Sequence, residues 1–313
     1  MLSNRVGVFG VLITLSVLWG SSFLAIKEVI TSMPPLFAFG IRFAVSGAIL
    51  LIVFYFHEPK DKRHESIDMR HWRDGLIAAI FIIVGGQGLL VWGAQYLTSG
   101  MTALLNSTIP LWIALLGALV LKQKLTRNTA LGLVAGFAGL IILVNPFSVN
   151  SALNPLGVIS LTLSSIFWAI GSMYSARSSS NLHISILASA GILMLIGGIL
   201  LLGTSFMVNE FETRQITISD LQSTLIAFSY LIFLCTVVGY AEFFWLLKVE
   251  SPAIANSFAY IVPIVAVLLG WLIFKERITT QTIIASCIII AGVAMMVRNK
   301  GTKPISSMVK KRK

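Results

Sequence analysis

The sequence predicts an all-α integral membrane protein of ten transmembrane helices, arranged as two inverted five-helix repeats. Three observations carry that expectation. With 57% hydrophobic and only 11% charged residues among 313, the chain has too little polar surface to coat a water-soluble globule of its size. Pro110 to Val144 lies over Pro263 to Val297 without a gap, with roughly eleven of 35 positions identical, a self-similarity that marks a tandem duplication. Each copy holds an odd number of apolar segments, so the second must cross the bilayer upside down relative to the first.

The apolar segments follow in order. Runs long enough to cross about 30 Å of hydrocarbon, roughly 20 residues each, fall near 8–30, 35–56, 74–96, 101–121 and 127–145 in the first half. The second half gives 155–176, 184–207, 221–247, 252–274 and 279–298. The repeats therefore occupy residues 8–145 and 154–298, and 299–313 form a basic cytoplasmic tail. Spans four, five, nine and ten are supported by the duplication itself, through LKQKLT at Leu121 to Thr126 against FKERIT at Phe274 to Thr279. Asn154-Pro155 and Ser251-Pro252 each put a capping side chain before a proline at the first helical position. Thr126 and Thr279 cap the fifth and tenth spans in the same way. The longest hydrophilic stretch, His57 to Arg73, is too short for a folded domain, so any activity sits among the helices.

Orientation follows from lysine and arginine, which favour the cytoplasmic side of short loops. With an inside N-terminus, eighteen cations fall on inner ends and loops and four outside (Lys27, Arg214, Lys275, Arg277), while Arg42 lies within a span, accounting for all 23. Both termini are then cytoplasmic, LKQKLT faces the cytoplasm and FKERIT faces outward. The net charge of +11 reads as topology and lipid contact rather than a nucleic-acid footprint. Two similar halves related by an axis in the membrane plane can exchange conformations and expose a shared site to each side in turn, which points to a transporter. Duplication that merely enlarges a scaffold is the alternative.

Several residues together resemble a known family. They are Trp19-Gly20-Ser21-Ser22-Phe23 with Lys27, Pro34-Pro35 followed by Arg42-Phe43, and Pro110 with Lys122; then Trp168, Gly171-Ser172, Ser251-Pro252-Ala253, Pro263, Gly270 and Lys275-Glu276-Arg277. In order and spacing the chain resembles the EamA-type transporters of the drug/metabolite transporter superfamily over nearly its whole length. The resemblance implies two five-helix repeats and export or exchange of small metabolites, often amino acids, or of drugs across the cytoplasmic membrane. Members usually carry a glutamate after both the fourth and the ninth span; this chain has Glu276 but Gln123.

Ionisable groups inside spans are the first candidates, because each is costly unless paired or hydrated. Arg42 lies about 12 Å along its helix from the outer end. With Lys27, it could draw an anionic group such as a carboxylate into an outer vestibule; alternatively Glu28 or helix-end carbonyls satisfy it permanently. Glu242, the only acid well inside a span, is the candidate for proton coupling, since apolar surroundings favour the neutral carboxyl. The other reading has it bridge to Lys248. Pro110 and Pro263 each remove an internal hydrogen bond and are hinge candidates or static kinks. Asn106 and Asn256 precede them, facing substrate or pairing across helices. Trp19 and Trp168 recur in matching places of the two copies and are candidates to line the substrate pathway, with core packing as the alternative. Gly132, Gly136 and Gly139 read as close helix contacts.

Other chemistries find little support. Cys235 and Cys287 lie within spans without CxxC spacing and read as apolar packing. His57, His64 and His71 share a loop with three acids, read as solvated rather than as a metal site. No zinc-protease, nucleophile-elbow, phosphate-loop or dinucleotide motif is present. The final Lys-Lys-Arg-Lys resembles a dilysine retrieval signal, and an electrostatic anchor explains the same residues. An intramembrane enzyme acting on a lipid-soluble substrate would need convergent acid, base or metal groups at one depth; a cation or metal-ion carrier would need several midplane acids. The expectation is therefore a secondary transporter, not an enzyme, without cofactor or metal. It sits in the cell membrane, with a small-molecule substrate and lipid as its partners and a monomer as a sufficient unit.

Overall fold

A computed structural model describes residues 2–57, 68–120, 122, 126–144, 154–179, 185–213, 216, 221–250 and 252–297. The Ser251 cap, Gln123, His64 and the tail at 299–313 lie outside them. The described chain is a helical bundle. Its elements are α1 (Leu2–Ser32), α2 (Pro35–His57), α3 (Met69–Ala94), α4 (Ser99–Leu119), α5 (Arg127–Val144), α6 (Pro155–Ser179), α7 (Ile186–Met207), α8 (Leu221–Val249), α9 (Ser257–Phe274) and α10 (Thr280–Val297). Eight of these are long and apolar enough to cross a membrane; the apolar stretches of α5 and α10, Arg127–Leu143 and Thr280–Gly292, are shorter.

Capping follows the sequence closely. Thr126 Oγ1 accepts from the Thr129 amide at 3.3 Å and Thr279 Oγ1 from the Thr282 amide at 3.1 Å, while Asn154 Oδ1 accepts from the Leu156 amide at 2.9 Å. Lys122 and Lys275, matched by the repeat, both take the left-handed conformation, with φ of 50° and 54°. The His71 Nδ1 accepts from the Asp68 amide in a capping box.

Four helices depart from regular α geometry. The third helix of each half contains a π segment, Ile80–Gly88 in α3 and Leu231–Val238 in α8. The fourth helix of each half is interrupted. α4 breaks between Ser99–Asn106 and Ile109–Leu119, and α9 opens as a 3-10 turn, Ser257–Tyr260, before Val262–Phe274. The sequence expectation was a bend at the proline; the structure instead breaks α4 just before it. Ser107 and Thr108 turn their hydroxyls onto the Leu104 and Leu105 carbonyls, at 2.6 and 2.7 Å. Local side-chain bonding of this kind competes with the helical ladder, and Pro110 has no amide to restore it.

Glycine decides how the halves meet. In α2 and α7, Gly40 packs on Leu202 and Gly191 on Leu51; Gly47 packs on Leu195 and Gly198 on Ala44. The pairs Gly40/Gly191, Ala44/Leu195, Gly47/Gly198 and Leu51/Leu202 are each 151 residues apart. Every contact is thus made twice with the helices exchanged, and the register falls on α7 as it rises on α2, so the two run antiparallel. α5 and α10 repeat the pattern at an interval of 153, Gly139 meeting Ile289 and Gly292 meeting Gly136. The first helix of each half crosses over: α1 packs against α8 and α9, and α6 against α3 and α4. In lipid, where apolar burial does not drive association, such close backbone approach supplies the packing.

A methyl group at Gly198 would overlap the Ala44 backbone, whereas one at Gly203 of the same helix meets nothing within 4 Å. Gly198→Ala is expected to lower the stability of the purified protein by about 1–3 kcal/mol, read as a lower Tm in detergent. Gly203→Ala should be neutral or slightly stabilising, and equal effects at the two sites would remove the special role of the α2–α7 seam.

Candidate functional site

A narrow cavity lies in the middle of the bundle, walled by residues from both halves. It sits where the four irregular helices converge: Gln87 lies in the π segment of α3, Asn106 and Ile109 flank the break in α4, Tyr240 follows the π segment of α8, and Phe258 and Val262 straddle the start of α9. The first helix of the opposite half donates to backbone carbonyls in and just after the π segments. Trp19 Nε1 donates to the Cys235 carbonyl at 2.9 Å. From α6, Ser164 and Ser160 donate to the Gly86 and Leu89 carbonyls at 2.6 and 2.7 Å.

Both matched tryptophans line this cavity, with ring centroids 5.7 Å apart in an edge-on arrangement. Each rests on a glycine of the other half: a Cβ at Gly239 would lie 2.6 Å from Trp19 Nε1, and one at Gly86 would lie 3.3 Å from Trp168 Cε3. Tyr240, Phe243 and Phe258 pack around Trp19 at 5.3, 5.5 and 4.6 Å. Trp168 Nε1 donates to Asn256 Oδ1 at 3.0 Å. Asn256 therefore does not line the cavity but positions a side chain that does; Asn106 faces the cavity itself.

Arg42 reaches the same cavity from α2 and is 3% exposed. Its Nε donates to Thr236 Oγ1 at 2.7 Å, its guanidinium lies over the Phe39 and Phe43 rings at 4.8 and 5.1 Å, and Nη1 has no hydrogen-bond partner. Glu28 does not neutralise it. That carboxylate accepts from Ser223 Oγ at 2.6 Å instead.

Lys27 departs from the shared-vestibule expectation. It donates from Nζ to the Leu97 carbonyl at 3.0 Å and lines a separate open depression with Glu28 and Glu276. Glu276 has a structural task there, accepting from the Ser99 amide and hydroxyl, both at 2.8 Å, and from the Gly100 amide at 3.2 Å. Glu242 bridges to Thr14 rather than Lys248: Thr14 Oγ1 donates to its Oε1 at 2.8 Å, while its Oε2 is buried without a partner. Pro110 and Pro263 are buried at the starts of the second pieces of α4 and α9.

Sequence reasoning missed Gln87, Thr236, Tyr240 and Phe258. The polar Gln87 within Gly85-Gly86-Gln87-Gly88 was a usable signal; Tyr240, beside Glu242, carried none beyond its hydroxyl in an apolar run.

The model of the EamA-like transporter family matches residues 6–145 and 155–298. The uncharacterized inner membrane transporter YedA of Escherichia coli K12 is 29% identical over 303 residues, covering 96% of this chain and 94% of that protein. The uncharacterized transporter YoaV of Bacillus subtilis is 26% identical, covering 91% and 94%, and the protein PecM of Dickeya dadantii 25%, covering 92% and 93%. A crystal structure 17% identical shares the fold, with a TM-score of 0.66 over 97% of this chain and 99% of that one.

Gly239→Ala is expected to push the Trp19 indole off its seat and lower stability by about 1–3 kcal/mol, measured as Tm beside Gly10→Ala, which meets nothing within 4 Å. A melting temperature no lower than that of the Gly10 variant would mean that the indole has room to spare.

Proposed function

The chain belongs to the EamA-like transporter family, and from that premise we propose that it is a secondary transporter working by alternating access between two inverted five-span repeats. It exports or exchanges small metabolites, amino acids or related compounds, or drugs across the cytoplasmic membrane, with both termini inside. The observation that carries this reading is the doubled contact pattern of α2 with α7 and of α5 with α10. Antiparallel helices whose contacts are exchanged by one interval are related by a two-fold axis across them, and in a bilayer that axis lies in the membrane plane. At 18 residues each, α5 and α10 are about 27 Å long and complete the ten spans. The central cavity between the halves is the substrate site, lined by Trp19, Arg42, Asn106 and Trp168 and braced by Asn256. Lys27 stands in the entrance at one end, and the breaks before Pro110 and Pro263 act as hinges.

Two sets of hydrogen bonds close the ends of the cavity. At the end bearing Lys27, Ser223 of α8 donates to Glu28 of α1 at 2.6 Å, supported by Ser32 with Thr224 at 3.1 Å and Ser21 with Tyr230 at 2.6 Å. At the other end, Asp74 of α3 accepts from Tyr174 of α6 at 2.9 Å and from Ser178 of α6. Each latch joins the first helix of one half to the third helix of the other, with acid and hydroxyl exchanged between the two ends. Such bonds contribute about 1–3 kcal/mol, weak enough for one to open while the other holds.

The decisive experiment measures uptake and efflux of a metabolite panel in proteoliposomes, with and without a pH gradient. Accumulation driven by the gradient is expected, and Glu242→Gln should abolish the gradient dependence while leaving exchange intact. A Gln variant that keeps full gradient dependence would exclude Glu242 from proton coupling, and a panel in which nothing moves would count against transport of this class. Breaking one latch should open one side only. In a protein without its native cysteines, Asp74→Ala is expected to raise labelling of a cysteine at Ser189, in the cavity beside Asp74, and Glu28→Ala that of one at Gln95, beside Lys27; unchanged labelling in both would leave the latches without a gating role.

A further inference from the structure

The central cavity contains more chemical information than the proposed transport function uses. Among the described residues around it, Arg42 is the only charged side chain, and no acidic side chain pairs with it. Its Nη1 and the Tyr240 hydroxyl are both buried and without hydrogen-bond partners, although Arg42 and Tyr240 are only 3% and 1% exposed. A buried cation without a counter-charge is strongly unfavourable, and so is a buried hydroxyl left unbonded. One ligand group satisfies both. A carboxylate between them would accept from Arg42 and from Tyr240 and supply the missing charge.

The remaining walls define what that carboxylate is attached to. Trp19, Trp168 and Phe258 present large apolar surfaces. The polar groups left over are the neutral amides of Gln87 and Asn106 and the Ser22 hydroxyl, which donates to the Trp19 carbonyl at 2.7 Å. An ammonium group in this cavity would lose its hydration with no carboxylate to meet it, and it would share the space with a guanidinium. Ring faces attract cations, but Trp168 and Phe258 already pack edge-to-face with Trp19, and Phe39 and Phe43 are occupied by Arg42 itself.

Resting on the reading of this cavity as the substrate site, we infer that it selects organic monoanions, one carboxylate on a flat apolar body, over zwitterions and cations of the same shape. Arg42 and Tyr240 bind the carboxylate, and the tryptophans bind the body.

Four probes with one ring system separate the possibilities: indole-3-acetate, tryptophan, tryptamine and the neutral indole-3-acetamide. Binding to the purified full-length protein is measured by calorimetry, and counterflow of the same compounds is measured in proteoliposomes. Indole-3-acetate should bind about tenfold or more tightly than tryptophan or tryptamine. Arg42→Gln should lower its affinity by about tenfold or more, and Tyr240→Phe by about three- to tenfold, with little change for the acetamide. Since Arg42→Gln removes an uncompensated buried charge, its Tm should equal or exceed that of the parent, so a loss of anion binding is not a loss of fold. Tighter binding of tryptophan, anion affinity unchanged in Arg42→Gln, or no binding of any probe at millimolar concentration would overturn the inference. Arg42-dependent binding without counterflow would support it while refuting transport; counterflow of tryptophan indifferent to Arg42 would refute it while leaving transport standing.

Discussion

The structure depends on one crossed arrangement: the first helix of each half abandons its own repeat and rests on the third helix of the other. Trp19 on Gly239 and Trp168 on Gly86 are the two aromatic contacts of this crossing. Both lie beside a π segment, one of whose carbonyls also accepts from the crossing helix, through Trp19 on one side and Ser164 on the other. These bonds and close ring contacts hold the halves together around the cavity between them.

The same arrangement tolerates the polar groups at the centre. Irregular backbone survives at membrane depth only where protein buries it or a cavity adjoins it, and both conditions hold around Gln87, Asn106 and Tyr240. Arg42 is held there by Thr236, whose hydroxyl also donates to the Leu231 carbonyl five residues earlier at 2.6 Å. A π segment, a buried cation and an aromatic floor are thus one linked unit. The glycine seams of α2 with α7 and α5 with α10 lie outside it and hold the bundle together while the centre departs from regularity.

Much of this was legible in the sequence, for reasons that differ by residue. Trp19 and Trp168 stood out because the duplication matched them, and Arg42 because a charge in an apolar run is expensive wherever it points. Thr126, Thr279 and Asn154 announced their caps through local chemistry. What the sequence withheld depends on rotation about helix axes and on neighbours far along the chain. Lys27 and Arg42 lie on different helices, and their depths gave no sign that they face different cavities. Glu242 and Lys248, six residues apart, point about 120° away from one another on a helix, and Thr14 was a partner no spacing could reveal. The breaks in α4 and α9 had proline as their signal, but the hydroxyls of Ser107 and Thr108 moved the interruption upstream. The π segments have no sequence signature, so Gln87 and Tyr240 were not recognised as cavity residues.

The central claim is that the two halves cross the membrane in opposite senses around the shared cavity. Lys122 and Lys275, matched by the repeat and both exposed, test it directly. Each is replaced by cysteine in a protein whose two native cysteines are alanine, and intact cells and inverted vesicles are treated with a membrane-impermeant thiol reagent. The account predicts labelling of Lys122→Cys only from the cytoplasmic face and of Lys275→Cys only from outside. Labelling of both from the same face would contradict it.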